Sequence, residues 1–229
     1  MIPDALIQAW PAFRLSLELA TAASGFVVLL GVPLAWLLAT RRFPGRRALE
    51  AACLLPLALP PTVLGYYLLL LLGSSGPLAR ATGLQWAFSF PGLVVGAVLF
   101  SLPLSLSTFR EVFLRLDPDL LDTARTLGAR PLARFRRVVL PLAWPGLLSG
   151  AVLAFAHTLG EFGVVLMIGG SIPGRTQVAS IYLYDLVQAL DFGAAGVVAG
   201  TLLAVAFVTV FAMRILEERW RSASPSRTR

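Results

Sequence analysis

Charge is absent from five long stretches of the chain and crowded into the short segments between them. The charge-free runs are Leu19 to Thr40 (22 residues), Ala51 to Ala79 (29), Ala81 to Phe109 (29), Val138 to Gly160 (23) and Phe192 to Met213 (22). A helix rises ~1.5 Å per residue, so about 20 apolar residues cross ~30 Å of hydrocarbon, and each run predicts one membrane-spanning helix. Several runs contain Pro or paired Gly, which membrane helices tolerate when neighbours satisfy the freed backbone groups. A sixth stretch, Phe162 to Gly174, has only 13 residues. Its length leaves three readings open: a continuation of the fourth span, a re-entrant piece, or a short sixth helix.

The expected fold is all-α: a polytopic transmembrane helix bundle, five long spans with or without the short sixth, forming one domain over residues 1–229. Composition agrees, since 57% of the 229 residues are hydrophobic, 14% are charged and the mean hydropathy is +0.80. That excludes an ordinary water-soluble domain. The first dozen residues have no basic segment, so span one is expected to act as its own uncleaved insertion signal. No internal repeat is evident, which lowers the case for a secondary carrier built from two related halves.

All 19 basic residues are Arg. Sixteen flank the spans on one side: Arg41, Arg42, Arg46 and Arg47 after the first, seven from Arg110 to Arg137 after the third, and five from Arg214 to Arg229 after the last. Only Arg14, Arg80 and Arg175 fall on the other side. The positive-inside rule then predicts an N-terminus outside, five crossings and a cytoplasmic tail, residues 214–229. These charges form no stripe with interleaved aromatics, so nucleic acid is not an expected partner; the lipid bilayer is.

Chemistry-bearing residues are few. Cys53 cannot form an internal disulfide, and His157 has no companion at metal spacing, so no metal site is expected. His157 is read as hydrogen-bonding across helices, with a place on a translocation path as the alternative. Glu161 stands beside apolar runs, where an ionisable group is a functional candidate. It is either structural, hydrogen-bonded where the helix breaks between Gly160 and Gly163, or part of a gate. Glu18 is expected to be solvated or paired with Arg14 one turn earlier. With no Lys, no phosphate-cradling loop and no defensible catalytic constellation, the chain is not expected to bind ATP or to be an enzyme by itself.

The longest polar loop, 110–137, carries the most information. Asp117-Pro118 is an N-cap and first-turn signature, Asp119 and Asp122 suit the positive end of the helix dipole, and Leu120, Ala124 and Leu127 recur at helical spacing. Gly128 permits a sharp exit and Pro131 can open a second short helix through Phe135. Composition leaves a helix-turn-helix outside the membrane and an amphipathic loop resting on headgroups as equal readings.

At this loop the sequence resembles the inner-membrane subunits of ATP-binding-cassette importers. Their signature is matched by Asp122-Thr123-Ala124, Gly128, Val138 and Leu140-Pro141 at the family's spacing, with Asp122 and Thr123 as mild departures from the usual Glu and Ala. The resemblance implies that residues 117–136 dock into a cytoplasmic ATPase subunit. It also implies a homodimer carrying two such subunits, an external substrate-binding protein, and ATP with Mg on the partner ATPase alone, in the cytoplasmic membrane of a bacterium or archaeon.

Two further runs narrow the resemblance. Pro60-Pro61-x-x-x-Gly65-Tyr66 looks like molybdate permeases, and Gly160-Glu161-Phe162-Gly163 is similar to both molybdate and sulfate permeases. The implied cargo is molybdate, with tungstate, and sulfate as the alternative; an ATPase-independent channel or carrier and an intramembrane enzyme are the rival classes. On the outer side, Val178, Ile181, Tyr182, Leu186 and Leu190 recur at helical spacing, predicting an amphipathic helix between Gln177 and Leu190. It would be a platform for the binding protein or a lid on the bundle.

Overall fold

The computed structural model describes residues 2–128 and 130–223; residues 224–229, with Arg227 and Arg229, lie outside the described residues. Among the described residues the regular structure is helical, in the order α1 (Ile2–Thr40), α2 (Arg46–Ala58), α3 (Pro61–Leu72), α4 (Pro77–Thr82), α5 (Phe90–Leu114), α6 (Pro118–Thr126), α7 (Pro131–Arg134), a π-helical turn (Phe135–Val139), α8 (Leu140–Leu159), α9 (Gly163–Gly169), α10 (Ala179–Gln188) and α11 (Phe192–Ala223). Five segments are long and apolar enough to cross a membrane: Asp4–Thr40, Pro61–Thr82, Phe90–Leu114, Pro131–Leu159 and Phe192–Ile215.

The helices do not coincide with the charge-free runs. The first begins 17 residues before its run, since α1 starts at Ile2 and the run at Leu19. Arg14 and Glu18 end the charge-free run without interrupting the helix, since both are good helix formers, and they pair one turn apart, Arg14 Nε donating to Glu18 Oε1 at 2.7 Å. The second run is not one helix. Leu59 and Pro60 both adopt extended backbone (ψ 143° and 135°) between α2 and α3. Pro60 disfavours a helical residue before it and Pro61 brings no N–H, so the chain restarts with Pro61 in the first turn of α3. The third span begins at Phe90, where Ser89 Oγ accepts the Gly92 N–H and Pro91 occupies the first turn.

The core is built where α1, α5 and α8 pack together, around Leu19, Leu38, Phe109, Val139 and Leu147. α5 and α8 run antiparallel along their whole length. Ser105 Oγ donates to the Gly150 carbonyl (2.9 Å), Ser101 Oγ meets Thr158 Oγ1 (3.0 Å), and the Phe88 N–H donates to the Ile168 carbonyl (2.9 Å). The partner numbers rise steadily as those on the α5 side fall. The short stretch after Phe162 therefore completes the fourth crossing beyond a break at Gly160 to Phe162. With seven helical residues, ~10 Å, α9 is too short to cross by itself.

Beyond α9 the chain folds back, and α10 packs on α1 and α11 through Ala179, Tyr182, Leu183 and Leu186. The amphipathic helix expected there is present, and Gln177 Nε2 and Ser171 Oγ both donate to the Asp185 carboxylate. α11 is the least enclosed span, with Leu203, Phe207, Val208 and Phe211 all exposed. Among the described residues, apolar helix faces that include this one and Tyr66, Tyr67, Leu70 and Leu71 on α3 are left for lipid or a partner.

The close crossing of α3 over α9 permits a test. A Cβ on Gly65 would lie 2.6 Å from Met167 Cβ, and one on Gly163 2.7 Å from Pro61 Cβ, whereas one on Gly25 meets nothing within 4 Å. Gly65→Val and Gly163→Val are expected to overpack the crossing by about 1–3 kcal/mol and lower the apparent melting temperature in detergent. Gly25→Ala should leave it unchanged.

Candidate functional site

Two sites emerge, one within the bundle and one on its arginine-rich end. Inside, the two runs singled out from sequence, around Pro60-Pro61 and around Gly160 to Gly163, are brought together although a hundred residues separate them. Gly163 sits against Pro61, and Gly65 against Val164 and Met167. Two interrupted helices thus meet at their interruptions. Non-helical backbone inside a membrane protein occurs only where it is buried in protein or lines a water-filled cavity.

Glu161 is 6% exposed. Its Oε1 accepts the Val164 N–H at 2.8 Å, satisfying a free donor in the first turn of α9, while its own carbonyl accepts from Ser180 Oγ at 2.6 Å. The side chain therefore serves the structure of the break, and the same carboxylate sits where the fourth crossing changes direction. His157 lies one turn earlier. Its Nδ1 is 3.1 Å from Ser101 Oγ, which also meets Thr158 Oγ1, and its ring packs on Phe100 with centroids 5.0 Å apart. This is the hydrogen bond across helices expected of it. Among the described residues, no group of three or more His, Cys, Asp or Glu could hold a metal ion.

At the arginine-rich end the signature loop is a helix-turn-helix. Asp117 Oδ1 accepts the Asp119 N–H at 3.0 Å and caps α6, Pro118 fills its first turn, and Gly128 leaves it at φ +76°. Gly128 has open space around it, so the backbone conformation, not crowding, requires glycine there. Pro131 opens α7, and the chain passes through the π-helical turn into α8 without leaving helical geometry. No residue of α6 is buried. Asp122, Thr123 and Gly128 are exposed, Ala124, Val138 and Leu140 half-buried, and Pro141 exposed in the first turn of α8. The signature thus divides into a solvent-facing helix and the root of the fourth crossing.

One feature escaped the sequence reading. Glu50 on α2 receives Arg110 of α5, Nη2 to Oε1 3.0 Å, and Arg46 leans on the same oxygen at 4.0 Å. The contact is an ion pair without an aligned hydrogen bond. It ties α2, which has no buried residue, to the bundle. The signal was present: Glu50 is the one acidic residue between Glu18 and Glu111, set among Arg41, Arg42, Arg46 and Arg47.

Comparison with known proteins accords with this arrangement. Residues 31–222 match the family described as binding-protein-dependent transport system inner membrane component. The chain belongs to that family. The molybdenum transport system permease protein ModB of Azotobacter vinelandii is 43% identical over 206 residues, covering 88% of this chain and 91% of that protein. The sulfate transport system permease protein CysT of Salmonella typhimurium is 35% identical over 216 residues, covering 93% of this chain and 78% of that protein. Among solved structures, a bacterial ABC transporter involved in the import of the acidic polysaccharide alginate has the same fold, with TM-score 0.76, 18% identity, and 95% of this chain and 82% of that one covered. The MetNI methionine ABC transporter in an inward-facing conformation also shares it, with TM-score 0.73 and 20% identity over 93% of this chain and 96% of that one.

The geometry of Glu161 separates its two readings. In Glu161→Gln an amide oxygen can still accept the Val164 N–H, so assembly and thermal stability should be kept. Glu161→Ala removes the acceptor and should cost about 0.5–2 kcal/mol. Loss of the assembled protein in Glu161→Gln as well, seen by size-exclusion chromatography, would exclude a gate function for the charge.

Proposed function

We propose that this chain is the membrane-spanning subunit of an ATP-driven importer that moves molybdate, and tungstate with it, into the cell by alternating access. The whole of residues 1–229 acts as one permease domain. The observation that carries the mechanism is the unbroken helical path from α7 through the π-helical turn into α8 and so to the break at Glu161, with α6, which has no buried residue, folded beside its start. A force applied to this loop by a docked ATPase would reach the interrupted helices along the helical segment from α7 to α8, and two such halves moving together can open a path. The cargo is inferred from the 43% identity with ModB.

The arginine-rich side is cytoplasmic in this reading, with the N-terminus outside and the tail inside. Two ATPase subunits dock on residues 117–136 of two copies of the chain, and an external oxyanion-binding protein delivers cargo at the opposite end. ATP and Mg act on the partner, so this subunit carries no catalytic residue and no cofactor of its own. A homodimer is supported by the exposed apolar faces of α3 and α11, since a five-span chain makes a poor pore alone. Glu161 and His157 stand as gate or pore candidates because they flank the break. Sulfate is the second reading, favoured by the 35% identity to CysT over 93% of the chain.

The test is ATP hydrolysis by the complete transporter in liposomes, with molybdate, tungstate or sulfate loaded on the binding protein. Stimulation by molybdate and tungstate is expected, and stimulation by sulfate alone would move the cargo to the second reading. Gly128→Val forces a β-branched residue into left-handed backbone at about 1–2 kcal/mol and should lower stimulated hydrolysis about ten-fold. Failure to associate with any ATPase would overturn the importer.

A further inference from the structure

Where α1 ends, it forms with α6 and α7 a cleft of about 580 Å³ whose lining includes Trp36, Arg41, Asp122, Arg125 and Arg134. Three Arg and one Asp line it, leaving a net charge of +2. Among the described ion pairs none uses Arg41, Arg125, Arg134 or Asp122. Arg41 directly follows α1, Arg125 lies in α6 and Arg134 in α7, so their charges converge through the tertiary structure and not through sequence proximity.

A second observation leads into the same cleft. Phe26, Leu30 and Leu37 of α1 are 49%, 52% and 40% exposed, and Pro33 between them is exposed too. They stand three or four positions apart, on one helical face, and the next position on that face is Arg41. From Leu30 to Arg41 the helix rises ~16 Å, one leaflet's share of ~30 Å of hydrocarbon. An uncovered apolar track one leaflet deep therefore ends in a cationic cleft at the membrane surface.

We propose that this cleft and track bind an anionic phospholipid, its phosphate among Arg41, Arg125 and Arg134 and an acyl chain along the exposed face of α1. Inorganic phosphate or an acidic peptide would answer the charge but leave the track uncovered; an amphiphile with an anionic head answers both. Basic pockets between helices at the membrane surface hold lipid headgroups by the same electrostatics. Because Arg125 and Asp122 belong to α6 and Arg134 to α7, the bound lipid ties the signature loop to α1, independently of which cargo is moved.

The experiment uses the complete transporter in phosphatidylcholine nanodiscs with a minor fraction of phosphatidylglycerol, counting retained phosphatidylglycerol by native mass spectrometry. Arg41→Gln, Arg125→Gln and Arg134→Gln should each lower its relative association about five-fold. Arg42→Gln and Arg47→Gln, outside the cleft, should not, and Arg41→Lys should keep most of the binding and verify assembly. Equal losses at Arg42 and Arg47 would mean a diffuse basic girdle and overturn the proposal. Displacement of the lipid by inorganic phosphate would overturn the lipid in favour of a free anion. Retention only after the ATPase has been stripped away would overturn it by assigning the cleft to the ATPase.

Discussion

A peptide N–H or C=O left bare in hydrocarbon costs several kcal/mol, and this protein interrupts two of its spans while staying within that constraint. At the first interruption the Leu59 N–H still reaches the Leu55 carbonyl and the Val63 N–H returns to Pro60, while the two prolines bring no donor. At the second, the Glu161 N–H bonds to Thr158, its side chain takes the Val164 N–H and its carbonyl takes the Ser180 hydroxyl. The interruptions are then packed against each other with glycine at the contacts. The contact buries Gly65 and Glu161, while Pro60, Pro61 and Gly160 stay exposed.

This arrangement gives the fourth crossing two mechanical ends. Its root runs through a π-helical turn into the exposed loop, and π-helical turns concentrate at functional sites where a helix changes register. Its far end is the break. Between them the helix is clamped to α5 by Ser105 to the Gly150 carbonyl and by Ser101 to Thr158 and His157, so polar contacts fix the rotation of α8 where apolar packing alone would allow sliding. In the proposed mechanism, movement of the loop would be transmitted to the break because the intervening segment has few ways to absorb it.

Arginine performs several tasks here that composition reports as a single net charge. Arg110 and Arg46 hold the carboxylate of Glu50, anchoring a helix without a buried side chain. Arg14 with Glu18 carries α1 past the end of its charge-free run. Arg41, Arg125 and Arg134 converge on one cleft. The planar, always-charged guanidinium suits each role at a membrane boundary, where a side chain must stay ionised beside apolar surface.

The number of spans, the capped helix at Asp117-Pro118 and the sharp exit at Gly128 are legible in the amino-acid order, because each depends on local backbone geometry or on the free energy of moving charge into lipid, while the pairing of Arg14 with Glu18 is one of two readings that order allows. The ends of α1 and the split of the second run were read less well, since charge depletion marks hydrocarbon depth and not helix continuity. Glu50 with Arg110, the completion of the fourth crossing by α9, and the meeting of the two interruptions depend on contacts across 60 to 100 residues. Nothing in a local pattern encodes which breaks will face one another. That choice belongs to the packed bundle, where shape complementarity at Gly65 and Gly163 and the need to satisfy every buried backbone group select one arrangement.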